Sequence, residues 1–123
     1  MTLTVSPSPL CDGFAVCGQI SLEDIAELAR RGFKSIVNNR PDGEGGPGQP
    51  SSAEIEAAAK ACGLAYVHFP INNPMVPPSA GLAYQEACAH LPHPIIAFCR
   101  SGARAAALFQ ACEGQVGSLA NRA

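Results

Sequence analysis

The chain has 123 residues, which is enough for one hydrophobic core, and we expect a single domain. Its formal net charge of −2 and its lack of a basic cluster argue against nucleic acid as a partner. No apolar run approaches the length of a membrane span, and residues 1–10 lack the basic and apolar regions of a signal peptide. The sequence therefore predicts a cytoplasmic protein that binds neither nucleic acid nor membrane.

Short strands alternate with helices from the first elements onward. Residues 1–12 are predicted to be a flexible lead-in, and residues 14–17 form the first strand. Ser21 and Asp24 have the spacing of a helix-capping box, and Gly32 is expected to end the helix that they begin. The first third of the chain thus predicts one strand and one helix.

The same alternation continues to the end of the chain. Ser51 and Glu54 repeat the capping-box spacing, and Gly63 is expected to end the second helix. The other predicted elements are a strand at 33–37, a glycine- and proline-rich loop at 38–50, a strand at 64–69, a proline-rich loop at 70–78, a helix at 79–90, a strand at 94–98, a helix at 103–110 and a weakly ordered tail at 113–123. The domain itself is predicted to span residues 13–112.

Repeated strand–helix units predict an α/β fold of three layers, a mainly parallel sheet flanked by helices on both faces. Ligands of such sheets bind beyond the carboxyl ends of the parallel strands. Three predicted loops, at 38–50, 70–78 and 99–104, leave these ends. We therefore expect them to surround one cleft.

Residues 99–104, Cys-Arg-Ser-Gly-Ala-Arg, are the most informative segment because they join an apolar strand to a helix. Backbone N–H groups at such a junction point inward and bind anions. We predict that Cys99 is a thiolate nucleophile and that Arg104 fixes the loop and stabilises the anion. The anion-binding loop itself is predicted to consist of four residues, Arg100, Ser101, Gly102 and Ala103.

The loop at 38–50 and the loop at 70–78 carry the polar side chains expected to share the cleft with Cys99. Asp42 is a candidate catalytic residue. Asp42 and Glu44 are each interpreted either as a proton donor or as a residue that shapes the turn. His68 lies inside a strand and is expected to be structural. The residues predicted to line the cleft are Asn39, Arg40, Glu44 and Asn73.

The six cysteines do not suggest a disulfide framework or a metal site. No pair has Cys-x-x-Cys spacing, and Cys62, Cys88 and Cys112 fall within helical patterns. We expect reduced thiols, most of them packed as small apolar side chains. Neither a metal nor a cofactor is predicted.

Residues 18–29, residues 32–44 and the cysteine loop together resemble one bacterial family. This family is the phosphatase-like domain of the beta-lactamase-hydrolase-like proteins. The resemblance implies a tyrosine-phosphatase-like fold of the dual-specificity type. Members are labelled tyrosine-phosphatase-like or sulfurtransferase, and some are fused to metallo-beta-lactamase-type domains, which implies partner enzymes of sulfide metabolism.

The residues favour sulfur transfer over phosphate chemistry. Four residues separate Cys99 from Arg104, as in rhodanese-type loops, whereas tyrosine phosphatases have five. In dual-specificity phosphatases an acid often stands in the loop before the third helix, where this chain has the amides Asn72 and Asn73. We predict a sulfurtransferase that forms a persulfide on Cys99, taking sulfur from a small anionic donor and passing it to an acceptor thiol.

Two alternatives remain open at this point. One is a phosphatase that cleaves a phosphate ester through a cysteinyl-phosphate, with Asp42 or Glu44 as the acid. The other is a non-catalytic anion-binding module.

Overall fold

The computed structural model describes residues 3–112. Within that range the elements, in chain order, are β1 (Ser8–Cys11), β2 (Phe14–Cys17), α1 (Leu22–Arg30), β3 (Ser35–Asn38), α2 (Ser52–Ala61), β4 (Ala65–His68), α3 (Pro78–Cys88), β5 (Ile95–Phe98) and α4 (Ala103–Ala111). The tail predicted for residues 113–123 lies outside the described residues. None of the helices described is long and apolar enough to cross a membrane.

The five strands of the described range form one sheet in the order β1-β2-β5-β3-β4. Strands β2, β5, β3 and β4 run parallel, and β1 pairs with β2 in the antiparallel direction. Strand β5 lies between two parallel neighbours, and all four of its residues are buried, as expected for a strand covered on both faces. The prediction of a mainly parallel sheet is confirmed.

Helices cover both faces of the sheet and enclose two apolar clusters. Side chains alternate along β5, so that Ile95 belongs to one cluster and Ile96 to the other. Helices α1 and α2 pack together, as do α3 and α4. Ile25 of α1 and Leu108 of α4 are fully buried in opposite clusters. The three-layer α/β prediction is therefore confirmed.

The capping patterns correctly predict where two helices begin. Ser21 accepts a hydrogen bond from the backbone N–H of Asp24 at 3.2 Å, and the Asp24 carboxylate accepts one from the Ser21 N–H at 2.8 Å. Ser51 and Glu54 form the same reciprocal pair at the start of α2. Both helices thus start at the residues that the spacing indicates.

The predicted flexible lead-in at residues 1–12 is partly a strand, and this is a correction. Residues Ser8–Cys11 pair with β2 at the edge of the sheet. Their side chains are largely exposed, so no apolar alternation marks the strand in the sequence, and Pro9 is acceptable because the strand has only one neighbour. Further upstream, the Thr4 N–H donates a hydrogen bond to the Asp24 carboxylate at 2.9 Å.

Register brings the strand ends together at one edge of the sheet. Cys17 of β2 and Asn38 of β3 both pair with Phe98, the last residue of β5. The segments that begin at Gly18, Asn39 and Cys99 consequently leave the sheet side by side. This edge holds the candidate site.

Candidate active site

Cys99 follows β5 directly and is fully buried at the floor of the site. Its Sγ accepts a hydrogen bond from the Gly102 N–H at 3.1 Å. Burial alone would raise the pKa of the Cys99 thiol, but the backbone N–H groups of Ala105, Ser101, Gly102 and Arg104 outweigh it and hold that pKa below its ordinary value. The N–H groups of the loop thus favour the thiolate form of Cys99.

Other buried cysteines have the opposite character. Burial raises the pKa of Cys17 to about 12, with smaller contributions from the charges of Asp24 and Cys99. Burial likewise raises the pKa of Cys88 to about 12. A low thiol pKa is therefore a property of the loop at Cys99 and not of burial in this fold.

Gly102 allows the loop to turn tightly into α4. It is the residue before α4, with φ 98° and ψ −13°, in the left-handed region that favours glycine. A Cβ at this position would lie 3.3 Å from the carbonyl oxygen of Cys17. The loop is also tied to the end of β2, because the Arg100 carbonyl accepts a hydrogen bond from the Gln19 N–H at 3.3 Å. Backbone packing therefore fixes the N–H groups that face Cys99.

Arg104 stands in the first turn of α4, and its guanidinium forms a two-pronged ion pair with Glu44. Its Nη1 donates to Glu44 Oε2 and its Nη2 donates to Glu44 Oε1, both at 2.7 Å. Nη1 also donates to the carbonyl of Ile71 at 2.9 Å. The Glu44 hydrogen bonds are the main cause of the raised pKa of Arg104, and the neighbouring Cys99 charge adds to it.

Glu44 is held ionised between two arginines. Besides its bonds from Arg104, its Oε1 accepts a hydrogen bond from Arg40 Nε at 2.8 Å. Hydrogen bonds from Arg104 and then from Arg40 lower the pKa of Glu44 to about 2. A carboxylate with this pKa carries no proton at neutral pH, so the arrangement does not support Glu44 as a general acid.

Arg40 is itself positioned from several sides. Its Nη1 donates to Gln19 Oε1 at 3.0 Å, and its carbonyl oxygen lies 2.9 Å from His68 Nε2. A Cβ on Gly45 would come within 2.7 Å of Arg40 Nη2, so this position has room only for glycine while Arg40 keeps its place. Through its contact with the Arg40 carbonyl, His68 supports the 38–50 loop, which is a structural role.

A polar cleft of about 650 Å³ opens above these residues. Of the described residues, those that line it are Arg40, Glu44, Gly45, Asn72, Arg100 and Arg104. The cleft brings together the predicted residues Arg40, Glu44, Arg100 and Arg104. Cys99 is fully buried among the N–H groups of its own loop and does not itself line the cleft.

Three predicted cleft residues have other partners. The Asp42 carboxylate accepts a hydrogen bond from the Ser52 N–H at 2.7 Å, beside the start of α2, and does not line the cleft. The Asn39 amide is buried and donates to the Phe69 carbonyl at 3.0 Å. Asn73 accepts from the Met75 N–H at 2.8 Å and builds a local turn, whereas its neighbour Asn72 faces the cleft. The geometry therefore does not support Asp42 as the acid.

Ser101 and Ala103 complete the loop. Ala103 N–H donates to Ser101 Oγ at 3.4 Å, so the Ser101 side chain closes the turn while its backbone N–H faces Cys99. In the part of the chain that the structure describes, no group of three or more His, Cys, Asp or Glu side chains could hold a metal ion.

Sequence reasoning missed Gln19. Its side chain accepts from Arg40 and its backbone N–H donates to Arg100, so it joins the two loops that frame the cleft. A signal was available, because β2 is also parallel and the segment after it leaves the sheet at the same edge. The predicted cleft includes the loops that follow β3, β4 and β5 but not the segment that follows β2.

A buried cysteine in this structure faces a nest of N–H groups, and an arginine stands in the first turn of the following helix. A tyrosine-phosphatase-like fold is supported by similarity to the solved structure of kinase associated phosphatase, with a TM-score of 0.58, 14% identity and coverage of 99% of this chain and 90% of that one. A solved structure described as a "putative phosphatase" from Neisseria meningitidis is more similar, with a TM-score of 0.74, 25% identity and coverage of 82% of this chain and 71% of that one.

The family model for the phosphatase-like domain of beta-lactamase hydrolase-like protein matches residues 8–116, and the chain belongs to this family. A beta-lactamase hydrolase-like protein of Agrobacterium fabrum is 36% identical over 104 residues, which cover 82% of this chain and 24% of that protein. The chain thus spans about a quarter of this relative's length.

Proposed function

We propose that this domain is a thiolate-dependent sulfurtransferase that carries sulfur as a persulfide on Cys99. The reaction moves a sulfane sulfur from a small anionic donor to an acceptor thiol. Enzymes that supply or consume persulfides in sulfide metabolism are the partners that we propose, and the cytoplasm is the proposed location. The observation that carries this proposal is that neither Glu44 nor Asp42 is placed to donate a proton to a leaving group at the cleft.

Cleavage of a phosphate ester requires a proton for the departing alkoxide, which is worth roughly 10²–10⁴-fold in rate. Glu44, the carboxylate among the described residues that line the cleft, has its pKa lowered to about 2. Asp42 is bonded to the start of α2. A reaction with thiolate leaving groups needs no such proton, and this favours sulfur transfer.

The proposed chemistry has two balanced displacements. The Cys99 thiolate attacks the outer sulfur of an organic persulfide, R–S–SH. A sulfur–sulfur bond to Cys99 forms, the donor's sulfur–sulfur bond breaks, and R–S⁻ leaves with the electron pair. An acceptor thiolate then attacks the outer sulfur of the Cys99 persulfide, so that the acceptor becomes a persulfide and the Cys99 thiolate is regenerated. The N–H groups facing Sγ stabilise the thiolate at the start and at the end.

A phosphatase is the second candidate, because the comparisons favour it. The family model carries a phosphatase-like description, and the Neisseria meningitidis structure is described as a "putative phosphatase". On this alternative the Cys99 thiolate attacks phosphorus and a cysteinyl-phosphate forms. Without an available acid, turnover would depend on a leaving group that is stable as an anion, such as an aryl oxide.

Steady-state rates with an organic persulfide and with an aryl phosphate separate the two candidates. We expect wild-type protein to transfer sulfur to cyanide, Cys99→Ser to be inactive, and Asp42→Asn to keep nearly full activity. Cys62→Ser is the matched control, since it removes an exposed thiol that follows the end of α2 and does not line the cleft. Aryl phosphate turnover that exceeds sulfur transfer, and that is lost in Cys99→Ser, would overturn the proposal.

A further inference from the structure

The carboxylate of Glu44 occupies the face of Arg104 that an anion would use. Both Nη atoms of Arg104 donate to the two Glu44 oxygens at 2.7 Å, which is the parallel geometry by which arginine binds carboxylate or phosphate. Nη1 has two protons, and its second is committed to the Ile71 carbonyl at 2.9 Å. A second anion at this face therefore has to displace Glu44.

The backbone N–H groups of the loop are also committed. The N–H groups of Ser101, Gly102, Arg104 and Ala105 face the Cys99 thiolate. An oxyanion with three oxygens above Cys99 would compete with the thiolate for these N–H groups and with Glu44 for the Nη1 and Nη2 donors of Arg104. A single sulfur atom bound to Cys99 needs only the N–H groups, which makes it compatible with Glu44 in place.

Glu44 is braced by its own loop rather than being a loose surface residue. The Gly45 N–H donates to Gln49 Oε1 at 2.7 Å, and Gln49 Nε2 donates to the Pro41 carbonyl at 2.9 Å. Arg40 adds its own bond to Glu44 at 2.8 Å. The Glu44 side chain is 29% exposed, so it stands at the mouth of the cleft.

We propose that Glu44 is a specificity-determining residue, which excludes tetrahedral oxyanions such as phosphate from Cys99 and admits a single sulfur atom. As a statement about substrate choice, this inference rests on the proposed sulfur transfer. Its physical basis is competition, because the fixed carboxylate both fills the Arg104 fork and repels an incoming dianion. The residue acts by occupying the site of the competing ligand, not by reacting.

The test measures how inorganic phosphate protects Cys99 from iodoacetamide in wild-type protein and in Glu44→Gln, with alkylation mapped by mass spectrometry. We expect half-protection of the variant at a phosphate concentration at least tenfold lower than that of wild type. Glu23→Gln is the matched control, because it removes the same charge from an exposed position on α1 and should behave as wild type. Circular dichroism checks folding, and Glu44→Ala replaces the amide variant if that variant unfolds.

Equal protection of wild type and Glu44→Gln would overturn the inference, and so would absence of protection in both. The readout does not involve sulfur transfer, so the two proposals fail separately. If wild type forms no persulfide but the variant gains phosphate affinity, the exclusion of oxyanions stands and the proposed function fails. If wild type forms the persulfide and the variant gains no affinity, the function stands and the role of Glu44 fails.

Discussion

Replacing Gly102 with alanine should damage stability and thiolate chemistry together. Gly102 has φ 98°, and a Cβ would meet the Cys17 carbonyl at 3.3 Å. A left-handed residue that carries a Cβ costs about 1–2 kcal/mol. The new contact requires the loop to shift by a few tenths of an ångström, which weakens the Gly102 N–H bond to Sγ. A hydrogen bond to a charged group is worth about 1.5 kcal/mol or more, which corresponds to about tenfold in ionisation.

Gly32→Ala is the matched control for this experiment. Gly32 has φ 100°, nearly the same as Gly102, but a Cβ there would meet nothing within 4 Å. Urea unfolding should show that Gly32→Ala lowers the free energy of unfolding by about 1–2 kcal/mol and that Gly102→Ala lowers it by more. The pH profile of Cys99 alkylation should be unchanged in the control and should move to higher pH in Gly102→Ala, with alkylation about tenfold slower where the thiol is partly ionised. Identical profiles for the two variants would refute the claim that loop N–H groups set the reactivity of Cys99.

Further outcomes follow from the charged groups of the site. In wild type, Cys99 should alkylate with a midpoint below that of an ordinary thiol, while Cys17, whose pKa is raised to about 12, should stay unmodified at pH 7 in peptide mapping. Arg104→Lys retains the charge but loses the two-pronged pair with Glu44. Sulfur transfer should therefore fall at least tenfold, and the free energy of unfolding in urea should fall by about 2 kcal/mol. Unchanged values would contradict the positioning role of Arg104. The folded-state pKa of Glu44 is lowered to about 2, so its contribution to stability is present above the unfolded pKa of about 4.3 and is lost as pH falls toward 2. Glu44→Gln should therefore flatten the acid limb of the stability–pH curve, and a limb as steep as that of wild type would contradict the ion pair.

Local signals were enough to predict much of the fold. Ser21 and Ser51 start helices because each is followed three residues later by an acidic residue that completes a capping box. This pattern depends on no distant contact. The buried strand β5 and the loop after it are marked by an apolar run followed by Cys99 and Gly102. The strand β1 could not be predicted, because it is held by the edge of β2 and not by a pattern in its own side chains.

The partners of the carboxylates could not be predicted from sequence. Asp42 and Glu44 lie two residues apart in one loop, but one is bonded to Ser52 and the other to Arg104. The difference arises from the backbone path of a glycine-rich loop, in which Gly43 and Gly46 have positive φ. The long-range pair of Glu44 with Arg104 spans sixty positions and is visible only when β3 and β5 lie side by side.

Intact-mass analysis can show whether Cys99 carries sulfur. Reduced wild-type protein and Cys99→Ser are exposed briefly to an organic persulfide or to an aryl phosphate, and any adduct is mapped to a peptide. For sulfur transfer through Cys99 we expect one added sulfur atom on the Cys99 peptide, absent from Cys99→Ser and removed by cyanide. A phosphoryl group on Cys99 with released phenol, and no sulfur adduct, would contradict this expectation.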